Sequence, residues 1–306
     1  MSTTRTFCRI CQAYCGLVVD VEDGVIQSAR ADRDHPVSRG YTCTKGRAIG
    51  EIQTADARLL GPRLRDRDAG WDETLGDLAA IIAEAVDAHG PEAVAVFRGT
   101  ASYFDSAGVA AVGRLITHLC TQQLYTTSTI DQVARFWVAQ QMCGLHHVLP
   151  LVDEARTQMT VLVGTNPPAS HGHVTSWPDP VQRLRHLSAN GSLWCLDVRE
   201  TEASAVANRH VMPRPGTDWA VLGHVVREIL KSGADAEFLA GWTHGVDELR
   251  RAVEPLDRPR AAAIAGLWED DLLALVSDVR ANRRLAVQTG TGATMGRHGD
   301  VTEWMA

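Results

Sequence analysis

No stretch of this 306-residue sequence reaches the roughly 18 consecutive apolar residues that a membrane helix needs. No run of Lys and Arg marks a nucleic-acid surface, and the first seven residues lack the apolar segment or twin arginine of a targeting signal. Aromatic residues are scarce at 6%, yet a 45% hydrophobic, 22% charged composition with a net charge of −7 can still form two globular cores. We therefore expect a cytoplasmic protein with no membrane span and no nucleic-acid partner.

The sequence does contain seven cysteines, and in a reducing compartment such thiols favour metal binding over disulfides. Four of them fall within the first 43 residues. Cys120, Cys143 and Cys195 are scattered through apolar segments, and we predict that these three are buried core residues, because a free cysteine behaves as a small hydrophobe.

The four N-terminal cysteines follow the pattern C-x2-C-x3-C with a fourth much later: Cys8, Cys11, Cys15 and Cys43. Three closely spaced thiolates let one loop cover a face of a cubane, and the fourth closes the remaining corner, so the pattern predicts a [4Fe–4S] cluster. A structural zinc site also accepts four cysteines. Zinc sites more often use two paired knuckles, whereas this arrangement is three plus one.

Hydrophobic patterning predicts two short strands in residues 16–28 around the turn at Asp23 and Gly24. Alternating helices and strands follow, which is typical of parallel α/β layers. We predict helices at 72–88, 109–120, 181–189, 219–231 and 270–281, and strands at 93–97, 160–164, 192–197 and 284–288. The predicted fold class is α/β: a small N-terminal iron–sulfur β domain followed by αβα layers with mainly parallel sheets.

The cysteine pattern, ending in Cys43-Thr-Lys-Gly-Arg47, resembles the N-terminal iron–sulfur domain of the bis-molybdopterin-guanine-dinucleotide oxidoreductases, a family that includes formate dehydrogenases and nitrate reductases. Similar segments continue along the chain. They are Arg58-Leu-Leu-x-Pro62, Gly70-Trp-Asp-Glu73, Gly164-Thr-Asn-Pro167, Asp197-Val-Arg-Glu-Thr201 and Arg214-Pro-Gly-Thr-Asp218. The resemblance covers the whole chain but only the N-terminal part of the family's architecture.

This resemblance implies a [4Fe–4S] cluster together with molybdopterin guanine dinucleotide carrying Mo or W. It implies that Lys45 relays electrons between the cluster and the pterin. The residues that it places against the dinucleotide are Gly164, Asn166, Asp197, Arg199, Thr201, Gly216 and Asp218. A glycine and an asparagine at a strand's carboxyl end also suit the close approach of a pyrophosphate.

The segment Thr129–Arg135 resembles the one that leads, in nitrate reductases and formate dehydrogenases, to the metal-coordinating side chain. Trp137 occupies that position here, and an indole supplies neither thiolate nor carboxylate to molybdenum. We therefore assign no protein ligand to the metal. His146 and His147 are read as solvated loop residues.

The family layout predicts a cluster domain at 1–57, an incomplete first α/β domain from 58–128 and 285–306, and an inserted dinucleotide-binding domain at 129–284.

The leading functional hypothesis is a molybdopterin oxidoreductase that acts on a small-molecule substrate and exchanges electrons with a redox partner protein or subunit. Two alternatives remain open: a non-catalytic electron-transfer module, and a truncated fragment without a competent Mo site whose α/β region binds a nucleotide or partner and whose cysteines hold zinc or nothing. The glycine-rich end of the sequence suggests a shortened version of a longer protein.

Overall fold

The computed structural model describes residues 1–146 and 148–306. The chain divides into two compact units, Met1–Thr129 and Ile130–Ala306. The strands are β1 Ser2–Phe7, β2 Gly16–Glu22, β3 Val25–Ala31, β4 Arg63–Leu64, β5 Arg67–Asp68, β6 Val96–Arg98, β7 Leu124–Thr126, β8 Met159–Val163, β9 Ser192–Leu196, β10 Arg209–Val211 and β11 Leu285–Thr289. None of the helices among these residues has both the length and the hydrophobicity needed to cross a bilayer.

The helices are α1 Thr44–Arg47, α2 Ile49–Thr54, α3 Trp71–His89, α4 Ser106–Leu119, α5 Ser128–Asp131, α6 Val133–Cys143, α7 Pro167–Ser170, α8 Pro180–Asn190, α9 Asp218–Lys231, α10 Ala236–Trp242, α11 Val246–Val253, α12 Arg258–Ala265, α13 Glu269–Ala281, α14 Thr291–Thr294 and α15 Gly299–Met305. All five helices predicted from the sequence are present. The predicted fold class is confirmed.

The first unit begins with the antiparallel sheet β1-β2-β3. Asp23 and Gly24 form the predicted hairpin turn, both with positive φ, of 50° and 79°. Leu17 and Val19 of β2 point into a small core shared with Cys8 and Cys15. The sheet thus places the ends of β1 and β2 beside the cysteine-rich loop.

The remainder of the first unit contains helix α3 and the two-stranded parallel sheet β6-β7. Gly90 ends α3 with a φ of 81°. The expectation of a buried strand at 93–97 was wrong, because residues 91–93 form a 3₁₀ turn and β6 covers only Val96–Arg98. A two-stranded sheet covers little of each strand, and the Phe97 side chain is 61% exposed.

The second unit contains a four-stranded parallel sheet in the order β10-β9-β8-β11. If these four strands are renumbered 1 to 4 in the order in which they occur along the chain, their order in the sheet is 3-2-1-4, as in a doubly wound sheet. The switch point of the sheet lies between β8 and β11. The domain division stays a prediction with one correction. We assigned 285–306 to the first α/β domain, whereas Leu285–Thr289 pairs residue for residue with Met159–Val163.

Strand β8 is buried along its whole length, as expected for the centre of a parallel sheet covered on both faces. Met159, Val161 and Val163 pack on one side with residues of α9, α12 and α13. Leu162 packs on the other side with Trp177 and residues of α8 and β9.

Only one of the three downstream cysteines lies in a core. Cys195 is fully buried in β9, as predicted, but Cys120 and Cys143 are exposed, so that prediction was wrong for two residues. Cys120 follows the last residue of α4 in a left-handed conformation. Cys143 is the last residue of α6, before Gly144. A helix end faces solvent even when its sequence neighbours are apolar.

The turns after β8 and β11 touch through their backbones. Gly292 N donates to Gly164 O at 2.9 Å, and Gly290 N donates to Val163 O at 3.0 Å. Gly164 has a φ of 56°, and a Cβ there would lie 2.5 Å from Ala293 N and 2.7 Å from the Gly292 carbonyl carbon. Close packing of two turns therefore requires glycine at position 164.

We predict that Gly164→Ala lowers the free energy of unfolding by about 2–4 kcal/mol, because it combines left-handed strain with overlap against backbone. Gly241→Ala, in helix α10 with open space around its Cβ position, is the matched control and should raise stability by about 0.5–1 kcal/mol. Urea unfolding of both variants measures the difference. Equal effects would contradict the close packing.

Candidate cluster site and dinucleotide site

The four predicted ligand cysteines come from two short segments of the first unit. Cys8 follows β1 and Cys15 precedes β2, and Cys8 N donates to Cys15 O at 2.8 Å, which closes the loop between them. Tyr14 takes a φ of 47° inside this loop. Cys43 is the residue before α1, and its carbonyl accepts from Arg47 N at 3.2 Å.

Two of the four thiols are harder to ionise than a free cysteine. Burial, together with the neighbouring Cys11, Cys8 and Cys43, raises the pKa of Cys15 to about 12. Burial also raises the pKa of Cys8, to which Cys11 and Cys43 add, while the positive charge of Lys45 lowers it. All four sulfurs are therefore close enough to interact, and together they would form a dense negative charge that requires a cationic centre.

The chain packs closely around Cys8. Gly46, which is buried, would place a Cβ 3.7 Å from Cys8 Sγ and against Thr42 Oγ1, so only a glycine fits beside the sulfur. The Thr42 hydroxyl is buried and has no hydrogen-bond partner among the described residues. Within that same part of the chain, no three His, Cys, Asp or Glu side chains converge on one metal ion. Four thiol donors that do not surround a single ion fit a cluster whose ligands bind separate irons.

Lys45 lies in α1, two residues after Cys43, with an exposed side chain. Its effect on the pKa of Cys8 places its ammonium group within electrostatic reach of the thiols. The predicted electron relay stays a prediction.

In the second unit, the carboxyl edge of the parallel sheet gathers the residues predicted to contact a dinucleotide. Gly164 and Asn166 follow β8, Asp197 follows β9, and Asp218 begins α9. Asn166 Nδ2 donates to Glu202 Oε2 at 2.6 Å, and its Oδ1 accepts from Ala203 N at 3.2 Å. The amide therefore fastens the turn after β8 to the loop after β9.

The loop after β9 is shaped by its own hydrogen bonds. Arg199 N donates to Asp197 Oδ1 at 3.4 Å, and the exposed Arg199 guanidinium donates to Glu200 O at 2.9 Å. Thr201 is buried, and its Oγ1 accepts from Ser204 N at 3.1 Å. A cavity of about 490 Å³ lies against this loop and His210. Among the residues predicted to contact the dinucleotide, Thr201 shapes the loop and Arg199 provides an exposed positive charge.

Asp218 is 5% exposed. Burial and, to a smaller extent, the negative charge of Asp197 together raise its pKa to about 6. The two carboxyl groups thus interact at the same edge of the sheet. Gly216, two residues earlier, has a φ of 75° in the turn that leads into α9.

Trp137 lies on α6 in the second unit, and its side chain is 57% exposed. It borders a groove of about 640 Å³ together with Trp242 and Trp304. His146 is an exposed residue after α6, as predicted, and its ring lies 4.9 Å from that of Phe136. His147 lies outside the described residues.

Two contributors to the carboxyl edge were not assigned from the sequence. The turn Gly290–Ala293 follows β11 and packs on Gly164. Arg135, which is 5% exposed, donates to the carbonyl oxygens of Thr289 and His173. The glycine-rich sequence directly after a strand was a usable signal for the first, whereas only tertiary contacts reveal the second.

The chain combines an α/β fold with four cysteines near its N-terminus, and it is similar to several known proteins. Residues 1–54 match the family model described as the molybdopterin oxidoreductase Fe4S4 domain. The chain is 24% identical over 303 residues to putative formate dehydrogenases of Staphylococcus aureus strains MRSA252 and USA300, matching 95% of this chain and 30% of those proteins. Acetylene hydratase from Pelobacter acetylenicus shares the fold with a TM-score of 0.84 at 19% identity, over 98% of this chain and 42% of that one.

These matches confirm the resemblance seen in the sequence. Residues 1–54 match the Fe4S4 domain of molybdopterin oxidoreductases, and over most of its length the chain is similar in sequence to putative formate dehydrogenases and in fold to acetylene hydratase. The chain spans about 30% of the length of the curated relatives it matches.

Because the Asp218 carboxyl group is buried, we predict that the free energy of unfolding depends on pH. Its pKa is raised from the ordinary value near 3.9 to about 6 in the folded chain, so the folded state binds more protons than the unfolded state between these values. Its contribution to stability is full below about pH 4 and is lost as the pH rises through 6. Asp218→Asn should remove this fall, and its free energy of unfolding at pH 7 should be about 2–3 kcal/mol higher than that of the parent protein. Urea unfolding from pH 4 to 7 is the measurement, and parallel profiles for the two proteins would contradict the burial of this carboxyl group.

Proposed function

We propose that Cys8, Cys11, Cys15 and Cys43 bind a [4Fe–4S] cluster that carries electrons for a molybdopterin oxidoreductase. The observation that supports this most directly is that all four cysteines lie in the segment that matches the Fe4S4 domain, where a backbone hydrogen bond from Cys8 N to Cys15 O closes the loop that carries three of them. The cysteines supply the four thiolates that such a cluster requires.

The second part of the proposal concerns molybdopterin guanine dinucleotide with Mo or W. When bound, this cofactor supplies the two-electron chemistry at its metal, while the protein binds and orients it. The carboxyl edge of the parallel sheet, at its switch point, is the usual place for a dinucleotide. Asn166 arranges the two adjoining loops, Arg199 offers an exposed cation to a phosphate, and Asp197 offers oxygen acceptors to a ribose or base. Gly164, Thr201, Gly216 and Asp218 shape the same edge.

The reaction we propose is oxidation or reduction of a small-molecule substrate, of the formate dehydrogenase or nitrate reductase type, in the cytoplasm with a redox partner protein or subunit. Lys45 would pass electrons between the cluster and the pterin. The names of the putative formate dehydrogenases support the formate-type reaction. Against it stands Trp137, whose indole offers the metal no ligand.

A non-catalytic electron-transfer module is the second candidate, and Trp137 is the observation that favours it. In that case the cluster would be present without a competent Mo site. Metal analysis separates the two functions, since Mo or W beside iron supports catalysis and iron alone supports electron transfer.

We expect anaerobic reconstitution to load about four irons per chain and to give a broad absorption near 400 nm. Cys15→Ser should lose most of the iron, because it removes one of four ligands. Cys120→Ser, which alters an exposed cysteine elsewhere in the same unit, is the matched control and should load fully. Uptake of roughly one zinc and no iron would overturn the cluster.

Lys45→Met should load the same iron but lower the cluster's midpoint potential by roughly 20–60 mV, because a nearby positive charge stabilises the reduced, more negative cluster. Lys45→Arg keeps the charge and should retain the parent potential. Potentiometric titration followed by electron paramagnetic resonance measures both. An unchanged potential in Lys45→Met would place the ammonium group too far away to act as a relay.

A further inference from the structure

Arg135 joins the end of β11 to the loop that follows α7. Its Nη1 donates to His173 O at 3.0 Å, in the segment that follows β8 and α7. Its Nη2 donates to Thr289 O at 2.5 Å and also contacts Thr289 Oγ1. Thr289 is the last residue of β11 and directly precedes Gly290. One guanidinium therefore bonds to the backbones of both segments, which follow the two strands that border the switch point of the sheet.

The glycine turn is held at its other end by the same part of the chain. Thr294 Oγ1 donates to Asp131 O at 2.7 Å, four residues before Arg135. Residues 131–135 thus contact the chain immediately before and immediately after the turn Gly290–Ala293. Between these contacts, the turn lies directly on Gly164.

The surroundings of Arg135 fix its orientation. Glu303 Oε1 of α15 lies 3.4 Å from Arg135 Nη2, and both side chains are more than nine-tenths buried. His173 Nε2 lies 3.6 Å from Asp131 Oδ2. Burial lowers the pKa of His173, and the charge of Arg135 lowers it further, so the positive charge at this point belongs to the arginine. A planar guanidinium that bonds to two carbonyl groups and a carboxylate has little freedom to turn.

We propose that Arg135 is a positioning residue for dinucleotide binding: it fixes the turn after β11 against the segment that follows β8 and α7 and so keeps the crevice at the switch point ready for a diphosphate. The inference rests on the proposed function, because it assigns a role within the dinucleotide site. Arg135 is not among the residues that we predicted to contact the dinucleotide. It would act by removing the cost of ordering the two turns when the ligand binds.

A purely structural arginine would stabilise the whole unit without any special effect on the two turns, so the test needs variants that separate these roles. Glu303→Gln serves as the reference protein, because it removes the carboxylate that would be left buried and unpaired when Arg135 is replaced. The double variant Arg135→Gln/Glu303→Gln then differs from this reference only in the guanidinium. Arg227→Gln is the matched control, because Arg227 has a side chain 11% exposed and donates to the Glu254 carbonyl from α9.

Two measurements on the full chain decide the outcome. Hydrogen exchange followed by mass spectrometry should show amides in peptides covering 164–175 and 289–296 exchanging about tenfold faster in the double variant than in Glu303→Gln. Peptides from α12 and α13 should not change. Titration calorimetry with GDP should show a dissociation constant about tenfold larger in the double variant. Arg227→Gln should change neither the exchange of the two turns nor the GDP affinity.

Unchanged exchange in the two turns, or equally faster exchange across the whole unit, would overturn the positioning role. If the parent protein binds no GDP, the dinucleotide part of the proposed function fails, while the exchange data still decide whether Arg135 fixes the turns. If the parent binds GDP and the double variant binds it equally well, the turns do not need Arg135 for ligand binding and the inference is wrong.

Discussion

The direct backbone contact between the turns after β8 and β11 is the constraint on which the second unit's site depends. Gly164 and Gly292 leave no room for side chains between them, and the strands that they follow are neighbours in the sheet. All four strands end at the same edge, so the loops that carry Asn166 and Asp197 are held beside this contact. The glycines therefore act chiefly by bringing two turns together. The sequence had suggested a different reason for Gly164, the approach of a phosphate to bare backbone.

The first unit is organised around a different requirement, which is electrostatic. Burying the sulfurs of Cys8 and Cys15 raises their pKa values, and the neighbouring thiols raise them further. The site therefore disfavours four thiolates in the absence of a compensating cation. A small sheet and a glycine beside the sulfur hold the donors in place, and the binding of a cationic iron–sulfur core would offset the cost of ionising them.

Several sequence-based predictions were wrong for one reason: a local sequence pattern does not show which distant residues, if any, pack against a helix or strand. Cys120 and Cys143 sit among apolar residues, yet each lies at a helix end that faces solvent. Strand β11 was assigned to the first α/β domain, but it pairs with β8 of the second unit. Strand β1 was not predicted, because its polar residues are exposed all along and show no alternation. Arg135 looks like an ordinary helical cation until its carbonyl partners, far away in the sequence, are known.

The sequence by itself determined five of the helices, the first hairpin turn and the donor chemistry. Helix periodicity, the Asp-Gly hairpin turn and the cysteine spacing depend on residues close together in the chain, so they are readable without a structure. The tertiary structure alone decided the strand order 3-2-1-4, the packing of Gly164 against Gly292 and the buried bonds of Arg135. The pairing of β11 with β8, the packing of Gly164 against Gly292 and the bond from Arg135 to Thr289 each join residues more than a hundred positions apart. Such contacts form only when the sheet brings the ends of its strands together.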